Sequence, residues 1–246
     1  VLADYTGHPL ADEIPLGVAK AAARDELGIG GDTRCIALLP GSRMSEVSRL
    51  CEPMLDAAEV LRQRYPGAQF LVPAASELIG HHVDTQLQGR DGLDCRVIVS
   101  RSKQAMAAAD LVICASGTAS LEVMLINRPM VVCYRLAGMT YHLAKWLRLV
   151  KSRFFSLPNI LAGEALVPEL LQHEVTGLLG GHPAPVVVEG LGHVAKAVDG
   201  IPAEVDGVEL DMRQGMQEGR PARFAAELAC ADLRGMHEFR ARRPPR

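Results

Sequence analysis

The chain has 246 residues, of which 48% are hydrophobic and 22% are charged, a composition typical of a globular protein with a sizeable core. A net charge of −3, without RNA-binding aromatic patterns, excludes an obvious nucleic-acid partner. The six cysteines are far apart and form no CxxC pair, so we expect reduced thiols that pack as small hydrophobic residues.

The predicted elements alternate between strands and helices over most of the chain. Apolar runs suited to strands buried on both faces lie at 35–40, 69–74, 95–100, 110–116 and 129–135. Helical patterns lie between them at 45–66, 102–109 and 118–128. The alternation predicts an α/β fold, a Rossmann-like parallel sheet with right-handed crossovers. We interpret 17–175 as this domain and 1–16 as the remnant of an interdomain linker.

The pattern changes near residue 176. From there Gly or Pro interrupts the sequence every few residues, and the end is basic. We interpret 176–246 as a divergent, poorly structured C-terminal tail.

Small and cationic residues follow the first predicted strand, in "LLPGSR" (38–43). Gly41 lets a ligand approach the backbone, and Ser42 can cap the next helix or bind a phosphate oxygen. Arg43 adds a permanent charge whose fork geometry suits phosphate. The alternative is an ordinary strand-to-helix turn with a solvated Arg.

A second strand ends in small residues in "ICASGTASLE" (113–122). Here unobstructed backbone N–H groups at a helix N-terminus suit a diphosphate, and they belong to Ser116, Gly117, Thr118 and Ala119. Glu122, one turn later, can reach a pair of sugar hydroxyls. The alternative is a capped helix with an acid in its first turn.

The third stretch is "SLPNILAGEALVPELLQ" (156–172). The sequence Leu157-Pro158-Asn159 predicts an extended segment that presents an amide. The Asn159 side chain can bind a uracil edge, a sugar hydroxyl or its own backbone, and an Asx-type cap is the alternative.

Several spaced motifs in register resemble one known family. They are "GHPLADEIPL" (7–16), "LLPGSRMSEV" (38–47), "ASGTASLEVML" (115–125), "PMVVCYR" (129–135) and the stretch at 156–172. Together they resemble the lipid-A-disaccharide synthase family, bacterial glycosyltransferases of the GT-B architecture. The resemblance runs from residue 7 to about 174. It implies that the chain is the C-terminal, donor-nucleotide half, without the N-terminal half that carries the acceptor site and the candidate general base.

The resemblance also implies a reaction and site residues. The reaction is inverting transfer of 2,3-diacylglucosamine from UDP to 2,3-diacylglucosamine 1-phosphate. The implied diphosphate contacts are Gly41, Ser42 and Arg43, supported by Glu46, together with Ser116, Gly117, Thr118 and Ala119. Glu122 would hold the ribose, Asn159 would line the nucleotide-sugar cleft, and Arg135 would lie close to it. The catalytic residue is unknown, because the general base is expected in the absent half.

We expect neither metal nor cofactor, since Arg and oriented amides can stabilise a departing diphosphate and no Asp-x-Asp motif is present. A dehydrogenase is disfavoured, because no GxGxxG follows the first strand. Two alternatives stay open at this point. One is a catalytically silent UDP-sugar-binding fragment, and the other is a related GT-B enzyme such as UDP-N-acetylglucosamine 2-epimerase.

The segment at 138–155 combines basic residues with apolar residues at helical spacing. Lys145, Arg148 and Lys151, with Trp146 beside them, suit a helix lying on an anionic membrane surface. The alternative is an ordinary surface helix. The resemblance implies a cytoplasmic protein, peripheral on the inner membrane, that binds UDP-2,3-diacylglucosamine and a lipid acceptor, and it leaves a homodimer open.

Overall fold

The computed structural model describes residues 10, 13, 14, 19–135, 154–171 and 175. Its elements in chain order are α1 (Lys20–Leu27), β1 (Cys35–Leu39), α2 (Met44–Arg64), β2 (Gln69–Ala74), α3 (Glu77–Leu87), β3 (Cys95–Val99), α4 (Ser102–Ala108), β4 (Leu111–Ala115), α5 (Thr118–Leu125), β5 (Met130–Tyr134), α6 (Leu157–Ala162) and β6 (Glu169–Leu171).

The six strands form one parallel sheet in the order β3-β2-β1-β4-β5-β6. This confirms the predicted Rossmann-like α/β fold. The inner strands β1 and β4 are buried along their whole length, because helices cover both faces. The strand β3 was expected to be buried on both faces, but its residues are only half-buried because it lies at the edge of the sheet.

Alternate strand residues supply the two halves of the core. Ile36 and Leu38 face the side covered by α2 and α3. Cys35 and Ala37 face the side covered by α1, α4 and α5. Five cysteines of the described chain are free thiols, and burial raises the pKa of Cys35 to about 12, so that this thiol stays protonated at neutral pH.

A buried ion pair joins β1 to β4 at the amino edge of the sheet. Arg24 is 5% exposed. Its Nη2 donates to Asp110 Oδ2 at 2.8 Å, and its Nε donates to the Ala108 carbonyl at 3.0 Å. The same Asp110 oxygen accepts the Cys35 backbone N–H at 2.7 Å. Because Cys35 begins β1 and Asp110 immediately precedes β4, these bonds fix the register of the two central strands.

Several elements differ from the sequence prediction. The helices α1 and α3 and the strand β6 were not predicted. The segment Leu157-Pro158-Asn159 was predicted to be extended, but it forms the first turn of α6, where Pro is tolerated because it removes no helical hydrogen bond. Ile14, from the proposed linker, is 4% exposed and packs in the core. The proposed tail at 176–246 lies outside the described residues and stays a prediction.

Candidate functional site

The topology of the sheet brings the two predicted anion loops together. The chain runs outward from β1 through β2 to β3 and then returns to β4 on the other side of β1. The register pairs Leu38 with Ile113 and Leu39 with Cys114, so the carboxyl ends of β1 and β4 are neighbours. This is the switch point of the sheet, where the loops after the two strands flank one crevice and where such folds bind ligands.

The loop after β1 is folded around Glu46. Its carboxylate accepts the Ser42 backbone N–H at 3.2 Å and an Arg43 Nη1 hydrogen at 3.3 Å. Gly41 has φ +128°, and a Cβ atom there would lie 2.6 Å from both Cβ and Oε2 of Glu46. Glycine is therefore required at this position, both for its conformation and for the close approach of the carboxylate.

Ser42 does not cap α2, which was one of the two roles that the sequence allowed for it. The N-cap is Arg43, and no side chain accepts a cap hydrogen bond there. The reason is that Glu46 lies in the first helical turn and reaches back to the Ser42 amide. The Arg43 side chain is 78% exposed, so its pairing with Glu46 is weak and its guanidinium remains accessible to an anion.

The loop after β4 presents bare amides. Gly117 is the N-cap of α5, has φ +149° and supplies no side-chain cap. The amides of Thr118 and Ala119 therefore have no intrahelical partner, as helix geometry requires for a first turn. Ser116 anchors the loop: its backbone N–H donates to the Cys133 carbonyl at 2.8 Å and its Oγ donates to the Phe155 carbonyl at 2.8 Å.

Glu122 is half-buried on α5. The pKa of its carboxyl is raised. Burial is the main cause, the positive charge of Lys103 opposes it, and the negative charge of Glu13 adds to it. Lys103 lies in the first turn of α4, which begins just after β3 at the same carboxyl edge of the sheet. Glu122 therefore lies near this edge, as its proposed contact with a sugar requires, and the positively charged Lys103 side chain lies in the same part of the site.

Arg135 follows β5 at the same edge and has a structural partner. Pro53 lies inside α2 and has no N–H group, so the carbonyl of Arg49, four residues earlier, lacks its helical donor. Arg135 Nη1 donates to this carbonyl at 3.2 Å. The Arg135 guanidinium thus supplies the hydrogen-bond donor that α2 lacks at Arg49, and the residue is half-buried beside the crevice.

Asn159 was expected to line the nucleotide-sugar cleft, but the structure places it in the interior, 1% exposed. Its Nδ2 donates to the Val167 carbonyl at 2.9 Å and to Glu169 Oε1 at 2.8 Å. Its Oδ1 accepts the backbone N–H groups of Leu166 and Val167. The amide is fully used within the protein, and Ser156 rather than Asn159 caps the helix. We therefore leave Asn159 out of the proposed ligand contacts.

Comparison with known proteins identifies the family of the chain. A sequence model described as lipid-A-disaccharide synthetase matches residues 1–201. The chain belongs to the lipid-A-disaccharide synthetase family. The match extends past residue 174, where the recognisable motifs end.

Two relatives from this family are similar at about the same level. The lipid-A-disaccharide synthase of Pseudomonas paraeruginosa (strain DSM 24068 / PA7) is 49% identical over 172 residues, which cover 70% of this chain and 45% of the relative. That of Pseudomonas entomophila (strain L48) is 51% identical over 187 residues, covering 76% and 49%. The chain therefore spans about half the length of these relatives.

Among solved structures, the E. coli ADP-heptose lps heptosyltransferase II aligns with a TM-score of 0.48 at 13% identity. The alignment covers 73% of this chain and 50% of that one.

Some predicted residues cannot be placed. The proposed membrane contacts Lys145, Trp146, Arg148 and Lys151 lie outside the described residues. Among the described residues, no helix is both long and apolar enough to cross a bilayer.

The sequence reading missed Glu169, which lies beside the site. Its carboxylate accepts the backbone N–H groups of Phe155 and Ser156, the Ser156 hydroxyl and the Asn159 amide. Since Ser116 is bonded to the Phe155 carbonyl, this cluster adjoins the loop after β4. The only signal in the sequence was the polar Glu169 at the start of a short apolar run.

We expect the substitution Gly41→Ala to lower the free energy of unfolding by about 1–3 kcal/mol, because the new Cβ collides with Glu46 in a backbone conformation that L-residues avoid. Urea denaturation followed by circular dichroism measures the change. The matched control is Gly31→Ala, where nothing lies within 4 Å of the added Cβ, and its expected change is within about 0.5 kcal/mol. Equal losses in the two variants would contradict this account of the loop.

Proposed function

We propose that the chain supplies the donor-nucleotide half of a lipid-A-disaccharide synthase. The whole enzyme would transfer 2,3-diacylglucosamine from UDP to the 6-hydroxyl of 2,3-diacylglucosamine 1-phosphate. The observation that carries the proposal is the pairing of β1 with β4, which sets an exposed guanidinium and a row of open amides at one crevice. Membership of the family favours this transfer over the epimerase alternative.

The chemistry assigns a role to each part of the crevice. As the anomeric carbon leaves UDP, negative charge develops on the diphosphate. Arg43 and the amides of Thr118 and Ala119 would stabilise it, and they need little reorganisation because the loops are held by internal hydrogen bonds. Ser42, through its exposed hydroxyl, would add a phosphate contact, and Glu122 would accept hydrogen bonds from the ribose.

The acceptor side of the reaction is assigned to the half that the chain does not span. In an inverting transfer the acceptor hydroxyl attacks the anomeric carbon from the face opposite the departing diphosphate. A general base takes the hydroxyl proton, and UDP leaves with the electrons of the broken carbon–oxygen bond. No described residue is proposed as this base.

Titration calorimetry with UDP tests the nucleotide site directly. We expect the chain to bind UDP, and the substitution Arg43→Ala to weaken binding by about 1.5–3 kcal/mol, since a charged hydrogen bond to phosphate is lost. The control is Arg64→Ala, an exposed arginine in the last turn of the same helix, which should bind UDP as the parent does. Absence of UDP binding by the parent chain would refute the proposal.

A second candidate function is a UDP-sugar-binding fragment without catalytic activity, because the described residues supply donor-side groups and none of them is proposed as the general base. Supplying the N-terminal half of a relative, either fused to the chain or mixed with it, distinguishes the two. We expect disaccharide formation from both lipid substrates to appear only in the combined sample. A combined sample that binds UDP but forms no disaccharide would favour the binding fragment.

We also propose that the segment carrying Lys145, Trp146, Arg148 and Lys151 contacts an anionic membrane surface. The support is the sequence pattern together with the acylated substrates that family membership suggests. The proposed location is peripheral, on the cytoplasmic face of the inner membrane. Self-association of the chain stays a prediction from the resemblance.

Sedimentation with liposomes that contain anionic lipid tests the membrane contact. We expect binding at low salt that falls as salt is raised, and loss of binding when Lys145, Arg148 and Lys151 are all replaced by Glu, because the attraction is electrostatic. Liposomes of neutral lipid serve as the control. Equal binding by the parent and the triple variant would remove this proposal.

A further inference from the structure

The carboxylate of Glu169 accepts hydrogen bonds from several uncharged donors. It accepts the Phe155 N–H at 3.0 Å, the Ser156 N–H at 2.8 Å and the Ser156 hydroxyl at 2.6 Å. The Asn159 amide completes the set at 2.8 Å. Ser156 and Asn159 are almost fully buried, so these bonds form in a region of low dielectric where each is strong.

This cluster is connected to the loop after β4 through one peptide group. The Phe155 N–H donates to Glu169, and the Phe155 carbonyl accepts from Ser116 Oγ at 2.8 Å. The Phe155 ring also stacks on Tyr134, with centroids 5.9 Å apart, at the end of β5. The position of Ser116 is thus fixed from a strand two places away in the sheet.

Ser116 precedes the open amides of Thr118 and Ala119, and the Gly117 carbonyl accepts the Ser120 N–H at 3.2 Å and the Ser120 hydroxyl at 2.7 Å. Gly117 is exposed, has φ +149°, and a Cβ atom there would meet no heavy atom within 4 Å. Packing therefore does not hold this residue, and glycine has more backbone freedom than any other. The direction of the Thr118 and Ala119 amides therefore depends on the hydrogen bonds of Ser116 before Gly117 and on those that the Gly117 carbonyl accepts from Ser120.

We propose that Glu169 is a positioning residue for the anion loop after β4, acting through Phe155 and Ser116 on the Thr118 and Ala119 amides. The proposal rests on the proposed function, since these amides are the groups assigned to the diphosphate. Removing the charge of Glu169 and replacing one of its two oxygens with an NH2 group weakens the bond to the Phe155 N–H, which loosens Ser116 and misaligns the amides that receive the ligand.

The test is a double-mutant cycle on UDP binding, measured by calorimetry, with Glu169→Gln, Ser116→Ala and the combined variant. We expect each single variant to weaken binding about tenfold, within the range produced by changes along a hydrogen-bonded network. The combined variant should be no weaker than the weaker single variant, because both changes break the same connection. Glu169→Asp should recover part of the affinity.

The matched control is Asp56→Asn, which removes the charge from an ion pair of 2.6 Å between half-buried Asp56 and Arg90 on the opposite face of the sheet. Both Asp56→Asn and Glu169→Gln should lower the thermal midpoint, but Asp56→Asn should leave the dissociation constant for UDP unchanged. Single effects that multiply in the combined variant would overturn the proposal, since Ser116 would then act independently of Glu169. So would parent-like UDP binding by Glu169→Gln.

Backbone amide chemical shifts of the ligand-free chain separate this proposal from the proposed function. We expect Glu169→Gln to shift the resonances of Thr118 and Ala119, and Asp56→Asn to leave them in place. If the parent chain does not bind UDP, the proposed function fails. The amide chemical shifts of Thr118 and Ala119 still decide whether Glu169 positions the loop after β4. Unchanged Thr118 and Ala119 resonances in Glu169→Gln would overturn the positioning role whatever the ligand is.

Discussion

The site depends on one constraint, the parallel pairing of β1 with β4 across the switch point of the sheet. The buried bonds among Arg24, Asp110 and Cys35 fix that pairing at the amino edge. Everything at the carboxyl edge follows from the register set there, because a strand slipped by one residue would reverse its buried faces. The relative position of the two loops thus depends on the hydrogen bonds of Arg24 and Asp110 at the opposite end of the same strands.

Much of the hydrogen-bonding capacity at the crevice is used by the protein itself. Glu46 takes the Ser42 amide, Arg135 completes α2 at the carbonyl that Pro53 leaves without a donor, and the Ser116 hydroxyl binds the Phe155 carbonyl. The groups left for a ligand are the exposed guanidinium of Arg43 and the first amides of α5. Internal bonds hold the loop backbones, so the first amides of α5 keep a set direction while the Arg43 guanidinium is exposed, and the proposed stabilisation of a leaving diphosphate would use such oriented amides.

Local chemistry explains why the positions of the two loops could be predicted. Small residues directly after a buried strand mark a strand-to-helix loop whatever the rest of the chain does, so Gly41 and Gly117 were found from the sequence. The prediction failed where a side chain had a choice of partners. Asn159 could equally have met a ligand or the backbone, and only the arrival of Glu169 and the 166–167 peptide groups, from beyond the end of α6, decided it.

The sequence by itself determined the alternation of strands and helices, the positions of the two loops and the family to which the chain belongs, because periodicity, turn chemistry and spaced motifs are all written in neighbouring residues. Tertiary structure alone decided which strands are neighbours, that β3 is an edge, and that Glu46 rather than Ser42 organises the first loop. The same holds for the connection from Glu169 to Ser116. The reason is physical: Ser116 is joined to Glu169 through two hydrogen bonds that span 39 and 14 positions of the chain, and such bonds depend on how the whole sheet is assembled, so no local pattern encodes them.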